Sequence, residues 1–475
     1  MTLCLPGLAD QVEELFNSAV QAEKAGDLEA ALDLYNRCAQ ADPRHAAVFN
    51  NRGIVHSRRK EYEQAIEDFD RVLSLEPENA GAYTNRGMAY QETGDLQQAL
   101  ADFNRALEIE AEHVQALFNR AILWRRMGSQ DRALEDLNTI IRVEPTNVKA
   151  LILRGRHYFS EGAFDQALRD FSVALRQDRW SVEAARGSGD ANFFKGRFAK
   201  AVEDYTLALD SGDREASTLI NRCAALTHTG DYPGAIRDCE AGLKLDPNNA
   251  DGCFNLGNAL AANGQHREAV LAFSSAINLD GARGDFFYNR GVSFKKLGDA
   301  ESALADFSRT LELQPGHPGA LNNRGTLFWA QGTSDSALDD FRAAVRADER
   351  NLPALKNLGA AYLAQERPED AIAAFEKALR IDPKEPGVLA SLGDAWLDKR
   401  QFDRALAYYR KSLQIETGRQ AKARLLARMG LALEKSGKTA KALQSYNKAL
   451  ETATDESVRN GLLKKISELR GAPPR

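Results

Sequence analysis

Any chemistry in this 475-residue chain has to come from a small set of recurring polar side chains. The seven histidines (His45, His56, His113, His157, His228, His266 and His317) fall at scattered positions. None belongs to an HExxH zinc spacing, and no GxSxG nucleophile elbow or phosphate-cradling P-loop occurs. Five cysteines contain no CxxC pair. The expectation is therefore no catalytic residues, no metal site, no cofactor and no enzyme activity. What does recur is an asparagine followed by an arginine, as in Asn85-Arg86-Gly87 and Asn289-Arg290-Gly291. A carboxamide both donates and accepts hydrogen bonds, so a column of them matches an extended peptide backbone. A guanidinium matches a carboxylate or a phosphate.

These letters recur because the chain repeats. Ala80–His113 is a 34-residue unit that reads as two short amphipathic helices. Tyr83, Gly87 and Tyr90 share one face of the first helix, and Ala99, Phe103, Ala106 and Leu107 share one face of the second. Gly94-Asp95 makes the turn, where glycine accepts positive φ without a Cβ clash. One hairpin cannot bury its own apolar faces, but stacked copies can. Copies begin at Val12, Ala46, Ala80, Val114, Val148, Val182, Ala216, Ala250, Gly284, Pro318, Leu352 and Pro386, and a thirteenth begins three residues late at Ala423. Position 20 is alanine in all thirteen, and position 8 is glycine in ten. Position 24 is a large knob such as Phe69 or Phe103, and position 32 is proline in six copies, where it stops the second helix.

A 34-residue helix–turn–helix with glycine at position 8, alanine at position 20, phenylalanine or tyrosine at position 24 and proline at position 32 resembles the tetratricopeptide repeat family. The family's tryptophan at position 4 is absent; Leu15, Phe49, Tyr83 and Leu117 stand there. The resemblance implies an all-α, right-handed superhelical solenoid whose first helices line a concave groove. The expected organisation is an N-terminal flank (1–11), a solenoid of about thirteen repeats (12–456) with a three-residue insertion near 417–422, a capping helix (457–470) and a tail (471–475). The family's usual role is to scaffold protein partners.

The arginine at position 7 switches together with position 23. Arg52, Arg86, Arg120, Arg154, Arg222, Arg290 and Arg324 each have an aspartate there, whereas Leu256, Leu358 and Leu392 have Ala272, Ala374 and Tyr408. This joint switch predicts an Arg–Asp pair between the two helices of a hairpin rather than a phosphate-binding stripe. Asp204 faces Ser188 instead, with Arg186 as its expected partner. The asparagines at position 6 (Asn51, Asn85, Asn119, Asn221, Asn255, Asn289, Asn323 and Asn357, with Asn17 before them) lie on the groove wall if the resemblance holds. The family contains such asparagine ladders in substrate-holding solenoids. The competing reading is that these side chains bond locally.

The ladder breaks in repeats five and six, where Arg156, Phe159, Arg186, Phe193 and Phe194, with Arg125 just before them, form a candidate hot-spot patch. The alternative there is a degenerate repeat whose phenylalanines pack between neighbours. A two-carboxylate clamp of the family's co-chaperone type would fall on Lys356, Ala360, Ser391, Arg424 and Arg428, but both asparagines it needs are missing.

Composition sets the partners. The net charge is -6, yet residues 418–475 carry 13 Lys/Arg against 5 Asp/Glu, so a basic end follows an acidic body. The expected partners are proteins or peptides, with no nucleic acid and no membrane insertion; oligomeric state is left open. Cys223 and Cys239 occupy positions held elsewhere by Gly/Ala and Phe/Tyr/Leu, the usage expected of small buried hydrophobes in a reducing compartment. A cytoplasmic scaffold or adaptor follows, with a structural subunit of a large assembly, such as a ciliary or transport complex, as the alternative.

Overall fold

The computed structural model describes residues 6–471, with side chains from residue 11 onward. Residues 1–5 and 472–475, parts of the expected flank and tail, lie outside that range. The described residues are all-α, with 27 helices and no strand. They fall into two units. Unit 1, Met1–Gly230, runs from the helix Pro6–Lys24 to the helix Ala216–Thr229. Unit 2, Asp231–Arg475, runs from Tyr232–Leu245 to Glu456–Gly471. Within each unit the helices form consecutive hairpins, each packed on the next. The first helix of repeat thirteen, Arg419–Lys435, is lengthened to 17 residues. Among the described residues no helix is long and apolar enough to cross a membrane.

Local sequence explains each hairpin. In repeat three the first helix, Ala80–Thr93, starts at Asn79, whose side chain accepts from the Ala82 N–H. It ends at Gly94, where φ is 90°. That left-handed position recurs at every turn between paired helices; Lys60, Glu366 and Arg400 adopt it without being glycine, at φ 60°, 55° and 56°. The second helix, Leu96–Ile109, is capped by Asp95 and buries Ala99, Phe103, Ala106 and Leu107.

The core of a hairpin is a ring pressed on a glycine. The alanine at position 20 is buried in all thirteen copies, from Ala31 to Ala442, which lets the two helices approach. A Cβ on Gly87 would lie 2.7 Å from Cε1 of Phe103, and the same clash recurs at Gly53 on Phe69 and at Gly359 on Phe375. Every repeat with phenylalanine at position 24 has glycine at position 8, whereas Ala121 is paired with the smaller Leu137. Gly87→Ala is therefore expected to cost about 1–3 kcal/mol by overpacking. Adding Phe103→Leu, which reproduces the Ala121–Leu137 solution, should recover part of that loss in urea unfolding. A double variant no more stable than Gly87→Ala would contradict the packing account. Cys223 and Cys239 are both buried, but neither is a free thiol, which corrects the expectation of two inert thiols at those positions.

Candidate interaction face of the first helices

The position-7 arginines are tied into the fold. Arg120 donates from Nε and Nη2 to the two oxygens of Asp136 at 2.9 and 2.6 Å. Arg86–Asp102, Arg154–Asp170, Arg290–Asp306 and Arg324–Asp340 show the same fork, with all bonds at 2.7–2.8 Å. The aspartates are buried. A further bond runs to position 25 of the preceding repeat, where the residue varies from copy to copy. Nη1 of Arg120 donates to Asn104 Oδ1 of the preceding repeat at 2.8 Å, and Arg154 does the same to Asn138 at 2.8 Å. In other repeats the acceptor is Asn36, Asp70, Thr206, Ser274 or Ser308. Arg52, Arg86, Arg120, Arg154, Arg290 and Arg324 thus join their own two helices and also link their repeats to the ones before, and Arg222 makes the second kind of link. Where leucine replaces the arginine the contact is apolar: Leu358 and Ala374 are both buried in one cluster.

Asp204 does not use Arg186. Its Oδ2 accepts from Ser188 Oγ at 2.7 Å and from Asn192 Nδ2 at 2.8 Å, while Arg186 lies 3.7 Å from Asp213. Burial with neutral donors alone pushes the Asp204 carboxyl above the usual carboxylate range. A carboxyl raised in the folded state destabilises when ionised, so its contribution improves as pH falls through the folded pKa toward the unfolded value. Asp204→Asn keeps one oxygen to accept both bonds and removes the charge. It is expected to slow amide exchange in repeat six at pH 7, with the advantage shrinking toward pH 4. An equal advantage at both pH values would contradict this assignment.

The eight position-6 asparagines are all half-buried, but they divide into two groups. Five bond to neighbouring repeats. Asn51 donates to Tyr35 Oη at 3.3 Å, Asn85 to Asn50 at 3.3 Å, and Asn357 to Asn322 at 2.8 Å. Asn221 donates to Asp190 at 3.1 Å, and Asn323 to Tyr288 Oη at 3.4 Å. The other three make no such link. Asn119 and Asn289 donate to the carbonyls of Gln115 and Asp285, one turn back on their own helices, each at 2.9 Å. The Asn255 side chain makes no hydrogen bond among the described residues.

A second polar set escaped the sequence reading. Four repeats carry tyrosine at position 24, and each hydroxyl donates to a carboxylate on the first helix of its own hairpin. Tyr35 reaches Glu23 at 2.9 Å, Tyr205 reaches Asp190 at 2.7 Å, Tyr409 reaches Asp394 at 2.7 Å and Tyr446 reaches Glu434 at 2.8 Å. Burial raises the carboxyls of Asp190 and Asp394. The signal was present: an acid stands at position 9 or 12 in these four repeats and in no other. Arg428 of the would-be clamp lies 3.1 Å from Asp394, and Lys356 pairs with Glu385. Two of the clamp's cations are thus already neutralised.

The candidate patch of repeats four to six is brought together in part. Phe159 and Phe194 meet edge to face at 5.5 Å, Phe164 stacks on Phe194 at 5.6 Å, and Phe193 meets Phe198 at 5.4 Å. Phe194 remains 65% exposed. Arg125 and Arg156 have no carboxylate partner among the described residues; burial and the neighbouring Arg156 both lower the pKa of Arg125. Arg186 is drawn away toward Asp213.

Family profiles described as tetratricopeptide repeat match residues 16–82, 118–179, 152–216 and 288–351. Further profiles of the same description match 53–123, 239–270, 353–385 and 423–455, and together the matches cover more than half of the chain. No curated protein matches. Among solved structures, YrrB, described as a TPR protein with an unusual peptide-binding site, is 23% identical, with a TM-score of 0.36 over 40% of this chain and 97% of its own. The Cut9–Hcn1 hetero-tetramer of the APC/C is 15% identical, with a TM-score of 0.42 over 96% of each chain. Yeast Tom70 is 16% identical, with a TM-score of 0.37 over 90% of this chain and 96% of its own.

Proposed function

Since this chain belongs to the tetratricopeptide repeat family, whose arrays serve as protein-interaction scaffolds, we propose that it holds an extended segment of a protein partner along its first helices. The observation that carries this reading is the split among the asparagines. Five ladder residues donate to neighbouring repeats, whereas the side chains of Asn119, Asn255 and Asn289 make no link between repeats among the described residues. Unused carboxamide groups on a half-buried face match the alternating N–H and C=O groups of an extended chain. The position-7 arginines are neutralised by aspartates, which argues for a peptide over a nucleic acid as occupant. In unit 1 the exposed ring of Phe194, packed against Phe159 and Phe193, together with Arg125 and Arg156 supplies a second contact region of the aromatic-and-arginine kind that dominates interfaces. The role is one of holding and bringing together, not of catalysis.

The test is binding of the full chain to an array of randomised 12-residue peptides, repeated with Asn255→Ala combined with Asn289→Ala. Selection of peptides by the parent and their loss by the variant support the reading. Equal binding by the two proteins sinks the ladder.

A further inference from the structure

Lys295 stands at position 12 of repeat nine, near the end of the helix Gly284–Leu297. Its Nζ donates to Asn323 Oδ1 at 2.9 Å and to Thr326 Oγ1 at 3.0 Å, both on the first helix of repeat ten. Each acceptor is itself held. Thr326 donates its hydroxyl to the Asn323 carbonyl at 2.7 Å, and Asn323 reaches Tyr288 Oη at 3.4 Å. The ammonium has three N–H groups, so one remains. No carboxylate lies within ion-pair distance of it among the described residues, and Asp285 on the same helix is engaged by Arg283 at 2.8 Å. The nearby charge is the like-signed Lys296; burial and that charge both lower the Lys295 pKa.

A half-buried cation set against neutral oxygens only is costly, because desolvation is not offset by an opposite charge. Other cations on the neighbouring first helices have their acids: Arg290 has Asp306, Arg324 has Asp340 and Lys356 has Glu385. We propose that Lys295, braced by Asn323 and Thr326, is an anchor for a carboxylate of the held peptide. The Lys295–Asn323–Thr326 cluster would supply one charged and several neutral polar contacts at a fixed point on the ladder. A carboxylate from an aspartate or glutamate side chain and one from the peptide C-terminus share this chemistry.

The inference rests on the peptide-holding reading, and the test separates the two. The full chain is probed with arrays of randomised 12-residue peptides, one set with free C-termini and one set amidated. The parent is expected to select an acidic residue at one fixed position, or the free terminus, at least tenfold over its neutral counterpart. Lys295→Gln, which keeps an N–H donor but loses the charge, should abolish that preference while still binding neutral peptides. Lys295→Arg should retain it. A parent without acid preference, or a Lys295→Gln variant that keeps it, overturns the anchor and leaves the ladder standing. An array with no bound peptide overturns both.

Discussion

Arg120→Leu is expected to destabilise the array by about 3 kcal/mol, and Arg120→Leu with Asp136→Ala by only about 1 kcal/mol. The single change breaks the two-bond fork to Asp136 and the 2.8 Å bond to Asn104 at once. It also leaves a carboxylate in a buried site. Burial already raises the Asp136 carboxyl with Arg120 in place, so the uncompensated charge is the main cost. The double variant removes that charge and installs the apolar pair seen at Leu358 and Ala374. It still loses the bond to the preceding repeat, which is why recovery is incomplete. In a stacked array, stability divides into terms within repeats and terms between neighbours. Amide exchange should therefore rise in repeat four and, through Asn104, in repeat three. Equal losses from the single and double changes, measured by urea unfolding, would contradict the pairing account.

The second large effect concerns binding and leaves stability nearly untouched. Asn255→Ala with Asn289→Ala removes two carboxamides on adjacent repeats of unit 2. The Asn255 side chain makes no hydrogen bond among the described residues, and that of Asn289 bonds only to its own helix. Neither change opens a link between repeats, so the melting temperature should move little. Each carboxamide offers a donor and an acceptor to a peptide backbone, and four such bonds at a net worth of about 0.7 kcal/mol each amount to roughly a hundredfold in affinity. Asn357→Ala should behave in the opposite way, because its 2.8 Å bond to Asn322 ties two repeats together. Its loss should appear first in stability.

Which of these relations could be read from the sequence follows from how far each one reaches. Gly87 with Phe103, and Arg120 with Asp136, are partners inside one hairpin, so aligning the copies exposes them as joint changes. The bond from Arg120 to Asn104 runs between copies, to a position whose residue varies among Asn, Asp, Thr and Ser; any acceptor suffices, and no single letter recurs. The tyrosine–acid pairs fall inside a hairpin, but they occur in only four repeats and use an acid at either position 9 or 12. The asparagine column looked uniform because the letter is the same throughout. The residue it faces on the preceding repeat decides whether each member is spent on the fold or left open, as Asn85 on Asn50 and the unbonded Asn255 show. Asp204 followed the same logic: with no arginine at position 7 of its own repeat it drew on Ser188 and Asn192, while Arg186 turned to Asp213.

The central claim is that open asparagines hold a peptide by its backbone. It is tested most directly by the affinity of the full chain for one array-selected peptide and for the same peptide N-methylated at the amides that face Asn255 and Asn289. N-methylation removes backbone donors while leaving every side chain in place. The account predicts a large loss for the methylated peptide with the parent protein, and little further loss with the Asn255→Ala, Asn289→Ala variant, whose partners for those amides are already gone. A methylated peptide that binds the parent as tightly as the unmodified one would contradict it.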